Sequence, residues 1–374
     1  MFQQDKLNYE LTFIQKVKKL DFILLICIIL LSLVSLLVMY STDGGQILYH
    51  TKSHFIKLVT FFLLMLSVSF INIKFWHRVS YFFYLAVILL LIWASIYGIK
   101  VSGSQRWINL YFIVLQPSEL MKIAIILCLA KYYNRLKITD VNSFLSISIS
   151  MIFILIPIIL VISQPDLGTS ILIGFSGLII LWLGGVRIKY FFVSFVTFLI
   201  SLPFVISFLK PYQKLRILTF LDPDRDPLGA GYQIIQSKIA IGSGGLSGKG
   251  FLKGTQSYLD FLPEKHTDFI FTLFSEEFGF IGSIALLILY SIIIIRIIRV
   301  GAISRSNFSK MFCFGFAFAI FIYIVVNLSM VLGLLPIVGS PLPILSYGGS
   351  SMLATMIGFG IVLSARINHK QVIV

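Results

Sequence analysis

The chain has 374 residues, of which 58% are apolar and only 12% are charged, and its mean hydropathy is +0.98. Soluble domains average about 25% charged residues, so this composition excludes a water-soluble enzyme. Lys and Arg total 30 against 15 Asp and Glu, a net charge of +15. In so apolar a chain this excess indicates basic residues kept on the cytosolic side of a membrane, and nucleic-acid binding is not predicted.

Apolar stretches recur along the whole chain, and about ten of them approach the roughly 20 residues that a helix needs to cross a bilayer. In chain order they are 21–41, 54–73, 79–98, 116–134, 144–163, 167–184, 188–209, 270–297, 309–333 and 344–365. We therefore predict an all-α, polytopic integral membrane protein with about ten transmembrane helices in one domain, 1–374. The first stretch is of full span length and has no small-residue cleavage site, so we expect an uncleaved helix and not a signal peptide.

The basic residues of the short loops predict the orientation. With a cytoplasmic N-terminus, nearly all of them lie inside, and the short outside loops hold only Lys52, Lys100 and Arg106. This asymmetry is the positive-inside pattern. Because an even number of spans returns the chain to the side on which it started, we expect both termini in the cytoplasm.

One long polar interval, about 210–268, is predicted to form an extracytoplasmic loop before the eighth helix, without an obvious fold of its own. Its acidic run resembles the start of a calcium loop, but Pro227 and Gln233 stand where such a loop needs Gly and Glu. The glycine-rich stretch GSGGLSGKG (242–250) fails the spacing of a P-loop. Its backbone amides could still face a lipid pyrophosphate.

Ionisable groups within predicted spans are candidate functional residues, because each costs at least about 2.5 kcal/mol to insert. Those of this chain gather on the predicted outer side: Glu119, Lys122, Asp166, Asp268, Glu276 and Glu277. Glu119 and Lys122 are three residues apart, so they can meet on one helix face. The polar segments 102–110 and 335–351 are predicted on the same side. The clustering favours a functional site there.

Each of these residues also has a structural interpretation. Glu119 and Lys122 could neutralise each other inside the bundle, and Arg106, beside Trp107, could be an interfacial anchor. The acidic residues that could instead cap helices or bind loop amides are Asp166, Asp268, Glu276 and Glu277. Both interpretations stay open at this stage.

Five segments resemble the SEDS family, the shape, elongation, division and sporulation proteins of the bacterial envelope. They are SGSQRWINLYFIVLQPSELMK (102–122), QPDLGTS (164–170), 221–251, GTQSYLDFLPEKHTDFIFTLFSEEFGFIG (254–282) and LPIVGSPLPILSYGGSS (335–351). The VGSPLP sequence ahead of SYGGSS places the resemblance in the RodA-type elongation branch of the family.

The resemblance implies a ten-helix peptidoglycan glycosyltransferase of the bacterial cytoplasmic (inner) membrane. Such a protein polymerises lipid II on the outer face during cell elongation and rod-shape maintenance. It works beside a class B penicillin-binding protein, which is a transpeptidase, and other elongation-complex proteins. By the same resemblance Asp268, in the HTDF motif, is the residue essential for polymerisation, and Glu119, Lys122 and Asp166 match other positions of functional weight.

The residues fit that chemistry. A sugar hydroxyl is a weak nucleophile, so a carboxylate that takes its proton contributes roughly 10²–10⁴-fold, and inversion at the anomeric carbon needs only one such base. Asp268 is the candidate. Arg106, Lys122 and Lys265 are candidate cations for the departing pyrophosphate. The remaining substrate-binding candidates are Glu276, Ser346, Tyr347, Gly348 and Gly349.

No cofactor is predicted with certainty. The sequence offers no dedicated metal-ligand set, and a divalent cation held by the substrate phosphates stays open. Two other functions are compatible with the pattern: a lipid II flippase, which midplane charges and broken helices would suit, and a scaffold for the transpeptidase without chemistry of its own.

Overall fold

The computed structural model describes residues 12–101, 104–109, 114–208, 211–222, 229–255 and 264–373. The helices are α1 Phe13–Lys18, α2 Phe22–Thr42, α3 Tyr49–Phe70, α4 Ile73–Tyr97, α5 Pro117–Arg135, α6 Phe144–Ser163, α7 Leu167–Leu183, α8 Ile188–Phe208, α9 Pro211–Leu221, α10 Ala230–Ser243, α11 Ile270–Ile303, α12 Asn307–Val331 and α13 Gly349–Ile367. The strands are β1 Ile99–Val101, β2 Ser104–Asn109 and β3 Val114–Leu115.

The prediction of an all-α, polytopic membrane protein is confirmed. Each of the ten apolar stretches coincides with a helix, α2 to α8 and α11 to α13. Among the described residues, seven of these helices are long and apolar enough to cross a membrane: α2, α3, α4, α6, α11, α12 and α13. Helix α7 is apolar but shorter, with 17 residues.

Helix α5 lies at the centre of the bundle. Every residue from Pro117 to Lys131 is buried, and α4, α6, α7, α12 and α13 pack around it. A helix buried on all sides has no face in lipid. Its neighbours therefore shield Glu119 and Lys122, and α5 can carry two charges that a lipid-facing helix would carry only at high cost.

A small antiparallel sheet, in the order β1-β2-β3, connects α4 to α5. In β2, Trp107 lies opposite Ile99, and Ile108 lies opposite Leu115 of β3. From the sequence this stretch is predicted only as an outside segment, because strands of two to six residues are too short for a reliable period-two pattern. Arg106 lies in β2, the middle strand of the sheet.

The interval 210–268 does not lack structure, which corrects the sequence-based expectation. It contains α9 and α10, and α10 packs against α11 and α12. The Ser237 hydroxyl lies 2.8 Å from Thr272 Oγ1 and donates to the Val331 carbonyl at 2.7 Å. At 11 and 14 residues, both helices are too short to be recognised as spans.

Helix α11 is broken at Gly279, whose φ of 64° and ψ of −162° are not helical. The predicted eighth span, 270–297, is therefore interrupted near its start. The glycine-rich stretch packs at this break, where the amides of Lys249 and Gly250 donate to the carbonyls of Glu276 and Glu277, each at 3.0 Å. Those two amides are bound to α11, which contradicts the idea that this stretch presents them to a pyrophosphate.

Candidate functional site

The loop that carries Asp268, residues 264–269, is held by two other parts of the chain. Ser346 Oγ donates to the Thr267 carbonyl at 2.6 Å, and the Tyr347 amide donates to the His266 carbonyl at 2.8 Å. From α12, Asn327 Nδ2 donates to the Asp268 carbonyl at 2.9 Å. Asp268 itself is partly exposed. The backbone under this carboxylate is thus fixed by contacts on both sides.

The Asp268 carboxylate faces the backbone of segment 335–348. A Cβ built on Gly339 would lie 3.5 Å from Asp268 Oδ2, and Gly339 has a φ of +71°, which favours glycine. Asn327 also donates to the Ser340 carbonyl at 2.7 Å. Asn327 is fully buried and joins the Asp268 loop to this segment. Asn327 is not among the residues predicted from sequence, because a single uncharged Asn inside an apolar span gives no signal.

The structure brings Glu119 and Lys122 together, as their spacing predicts. Lys122 Nζ lies 2.7 Å from Glu119 Oε1, and both side chains are at most 5% exposed. The Tyr323 hydroxyl donates to Glu119 Oε2 at 3.2 Å, and Lys122 Nζ lies 4.0 Å from the centre of the Tyr323 ring. The two charges neutralise each other beside an aromatic ring, so their net charge in the bundle interior is close to zero.

A second ion pair joins β2 to the start of α7. Arg106 Nη1 lies 3.0 Å from Asp166 Oδ2, and Gln116 Nε2 donates to the same oxygen at 2.9 Å. The other oxygen of Asp166 accepts from the Thr169 amide at 3.2 Å and so caps α7. Asp166 therefore caps α7, as its structural interpretation predicts, and it also pairs with Arg106, which the sequence did not predict. The Arg106 side chain remains 27% exposed, so it is accessible from one side.

Glu276 is directed at the loop that follows the glycine-rich stretch. Its Oε1 accepts from Lys249 Nζ at 2.6 Å and from the amide and hydroxyl of Thr255, both at 2.9 Å. Glu277 accepts from the Ser41 hydroxyl of α2. These contacts match the structural interpretation, in which both glutamates bind loop groups or neighbouring helices.

The end of segment 335–348 meets α3. The Tyr347 hydroxyl accepts from Lys57 Nζ at 3.0 Å and donates to Ser53 Oγ at 3.1 Å. Lys57 was not among the sequence candidates, although an ionisable residue within a predicted span was a sufficient signal. Gly348 is the N-cap of α13 and Gly349 its first residue, while Lys265 lies half-buried in the Asp268 loop.

The fold and these contacts define an integral membrane protein with a polar site at one end of its helical bundle. The end in question is the one where α2 joins α3, the small sheet joins α4 to α5, and segment 335–348 joins α12 to α13. Charged residues contributed by sequence-distant segments lie at this end, and so does the partly exposed Asp268.

The chain belongs to the SEDS family: the family model for the cell cycle proteins FtsW, RodA and SpoVE matches residues 15–371. The chain is 42% identical to the peptidoglycan glycosyltransferase MrdB of Escherichia coli over 96% of each chain. It is 34% identical to a probable peptidoglycan glycosyltransferase FtsW of Buchnera aphidicola, over 87% of this chain and 85% of that one.

Solved structures share the fold. One is a chain of a peptidoglycan synthase complex that coordinates polymerization and crosslinking, with a TM-score of 0.80, 30% identity, and coverage of 93% of this chain and 97% of that one. Another is the rod shape determining protein RodA of Thermus thermophilus, with a TM-score of 0.71, 24% identity, and coverage of 94% of this chain and 98% of that one.

Proposed function

We propose that this chain is a peptidoglycan glycosyltransferase that polymerises lipid II into glycan strands during cell elongation. The observation that carries the proposal is the Asp268 carboxylate, partly exposed on a loop pinned by Ser346, Tyr347 and Asn327. The name and the similarity of the Escherichia coli relative, 42% identical over 96% of each chain, support the same reaction.

In the proposed reaction, Asp268 takes the proton of an acceptor sugar hydroxyl while that oxygen attacks the anomeric carbon of the donor. The new glycosidic bond forms as the bond from that carbon to the lipid-linked pyrophosphate breaks. Attack opposite the leaving group inverts configuration and needs no covalent enzyme intermediate, so a single base suffices. A loop held on both sides keeps that base in one place, as efficient proton transfer requires.

The leaving pyrophosphate requires positive charge at its oxygens. Both candidates are paired with an acidic residue, but their exposure differs: the Arg106 side chain is 27% exposed and the Lys122 side chain only 4%. We therefore assign direct contact with the pyrophosphate to Arg106 and, because it binds Tyr347 at the edge of segment 335–348, to Lys57. Lys265 remains a further cation, and the amides at the start of α13, at Gly349, favour an anion.

We place the end of the bundle that carries Asp268 on the outer side of the cytoplasmic membrane and both termini in the cytoplasm. The positive-inside distribution supports this orientation. Basic residues at the opposite end bind local groups: Arg296 pairs with Asp21 at 2.6 Å, and Lys131 donates to the Arg78 carbonyl at 2.8 Å. Labelling of single cysteines in the variants Lys52→Cys and Asp140→Cys, with a reagent that does not cross the membrane, tests the orientation. In intact cells only the cysteine at position 52 should react.

One solved relative is a chain of a peptidoglycan synthase complex that coordinates polymerization and crosslinking. This supports a partnership of the present chain with a crosslinking protein. We propose a class B penicillin-binding protein as the transpeptidase partner, together with other elongation-complex proteins.

The experiment supplies lipid II to the purified chain with that partner and measures glycan strands on gels. Asp268→Asn should lower the polymerisation rate at least 100-fold, within the range of a lost general base of roughly 10²–10⁴. Asp140→Asn, at an exposed acid between α5 and α6, is the matched control and should polymerise normally. Normal strand synthesis by Asp268→Asn would refute the assignment.

The buried Glu119–Lys122 pair favours one alternative, a flippase that moves lipid II, because charged groups inside the bundle are typical of transporters. A liposome assay without polymerisation separates the two functions. Transfer of labelled lipid II across the bilayer by Asp268→Asn, together with an absence of strands from the wild-type chain, would support the flippase.

A further inference from the structure

A cluster of three potential metal ligands lies outside the set assigned to the glycosyl transfer. Asp43 follows the end of α2, His50 lies in the first turn of α3, and His266 precedes Asp268 by two residues. One nitrogen of each imidazole and one carboxylate oxygen all lie within 4.8 Å of one another. Three segments distant in sequence therefore present ligand atoms to a common point.

Neighbouring residues orient two of these three side chains, Asp43 and His266. Asp43 Oδ2 accepts from the Thr51 amide at 2.8 Å and from the Thr51 hydroxyl at 2.6 Å, while Oδ1 faces His50 Nδ1 at 3.4 Å. His266 Nδ1 lies 3.0 Å from Thr42 Oγ1. Metal-binding carboxylates and imidazoles characteristically have such partners, which fix the direction of the ligand atoms.

We propose that Asp43, His50 and His266 bind a divalent transition-metal ion, with Zn²⁺ as the representative. Two imidazoles and one carboxylate are a donor set that suits zinc and its neighbours in the first transition series, whereas Mg²⁺ prefers oxygen ligands alone. Water completes a four-coordinate sphere. The ion links the turn between α2 and α3 to the loop that carries Asp268.

Metal binding requires the two imidazole rings to leave the stack in which they lie, because the lone pairs of their nitrogens lie in the ring planes. Donor atoms bound at about 2.1 Å in a tetrahedron lie roughly 3.4 Å apart, so the ligand atoms must close from a spread of up to 4.8 Å. The rings of His50 and His266 stack with centroids 4.1 Å apart and an interplanar angle of 15°. The His50 side chain is 41% exposed, so its ring can turn out of the stack until its nitrogen points at the ion, while His266 keeps its contact with Thr42 and Asp43 keeps its contacts with Thr51.

The binding experiment uses the full-length chain, purified in detergent and stripped with a chelator. Isothermal titration with Zn²⁺ should give one site per chain, and titration with Mg²⁺ should give none. His50→Ala should weaken Zn²⁺ binding at least tenfold. His369→Ala, at the opposite end of the bundle, is the matched control and should bind as the wild type does.

Two further measurements guard against a variant that fails to fold. Asp43→Asn keeps an oxygen that can accept from Thr51 but loses the charge, so it should also weaken Zn²⁺ binding at least tenfold. Zn²⁺ should raise the unfolding temperature of the wild type and leave that of Asp43→Asn unchanged. No Zn²⁺ binding by the wild type, or equal affinity in His50→Ala, would overturn the proposal.

The binding proposal does not depend on the glycosyltransferase assignment. Asp268 is not a ligand, so Asp268→Asn should bind Zn²⁺ normally even if it polymerises nothing. Conversely, a wild type that polymerises lipid II without binding Zn²⁺ would refute the metal site and leave the polymerase intact.

Discussion

Tyr323 and Asn327 lie four residues apart on one face of α12, and each contacts a different acidic residue of the site. The Tyr323 hydroxyl donates to Glu119, and Asn327 Nδ2 donates to the backbone carbonyl of Asp268. One helical turn, roughly 6 Å along the axis, separates the two contacts. A single helix therefore sets the distance between the buried ion pair and the loop that carries the candidate base.

Asn327→Ala should destabilise the fold and slow polymerisation together. The substitution leaves the carbonyls of Asp268 and Ser340 without this donor, and each unsatisfied buried group costs about 1–3 kcal/mol. Because the loop then loses its contact with α12, we expect kcat to fall more than KM rises. The measurement combines thermal unfolding with lipid II kinetics.

Asn142 supplies the control for this variant. Its side chain is partly exposed, donates to the Gly185 carbonyl at 3.3 Å and accepts from the Arg187 amide at 2.9 Å, and both of these hydrogen bonds lie at the surface. Asn142→Ala should change the thermal stability and the lipid II kinetics little. Wild-type kinetics in Asn327→Ala would show that α12 does not position Asp268.

Lys122→Met should destabilise the protein strongly, by about 3–5 kcal/mol, because it leaves the buried Glu119 carboxylate without its cation. The double variant Glu119→Gln with Lys122→Met should recover much of that loss, since no charge remains unpaired. Unfolding measured for all members of the double-mutant cycle gives the coupling energy of the pair. Additive losses in the cycle would mean that the pair does not stabilise the bundle.

Arg106→Ala separates the two interpretations of that residue. Asp166 is buried and loses its cation, but it keeps its contacts with Gln116 and Thr169, and water can enter where the partly exposed Arg106 side chain lay, so the loss of stability should be smaller than that of Lys122→Met. If Arg106 binds the pyrophosphate, polymerisation should fall at least tenfold at a temperature where the variant is still folded by thermal unfolding. An unchanged rate would leave Arg106 as an interfacial anchor beside Trp107.

Contacts within one helix were predictable from sequence, and contacts between segments were not. Glu119 and Lys122 are three residues apart, so helical spacing alone places them together. Arg106 and Asp166 are also paired, but 60 positions separate them along the chain, and no periodicity reports such a contact. The same limit applies to Asn327, whose partners lie in the Asp268 loop and in segment 335–348.

The site therefore had to be recognised by its resemblance to a family, whereas the spans followed from hydropathy. Helix α5 shows the boundary between the two kinds of information. The apolar pattern predicts its length correctly, but its central position depends on the five helices that surround it. Tertiary packing decides whether Glu119 faces lipid or protein, and a single sequence does not contain that packing explicitly.

Gly279→Ala should perturb the site from a distance. Its φ of 64° is rare for residues with a side chain, and a Cβ there would overlap the backbone amide of Gly248. The glycine-rich stretch would have to move away from α11, and its ion pair between Lys249 and Glu276 would weaken. We expect the free energy of unfolding to fall by at least about 1–3 kcal/mol, the usual cost of a strained backbone position. Thermal unfolding measures this loss.

Gly242 is the matched control for this variant because it lies in the same glycine-rich sequence but inside α10. A Cβ there meets nothing within 4 Å. Gly242→Ala should stabilise the chain by about 0.5–1 kcal/mol, since alanine loses less backbone entropy in a helix. Equal effects of the two substitutions would indicate that the break in α11 does not depend on glycine. Opposite signs would show that the break in α11, where the backbones of Gly279 and Gly248 approach each other closely, requires a residue without a side chain.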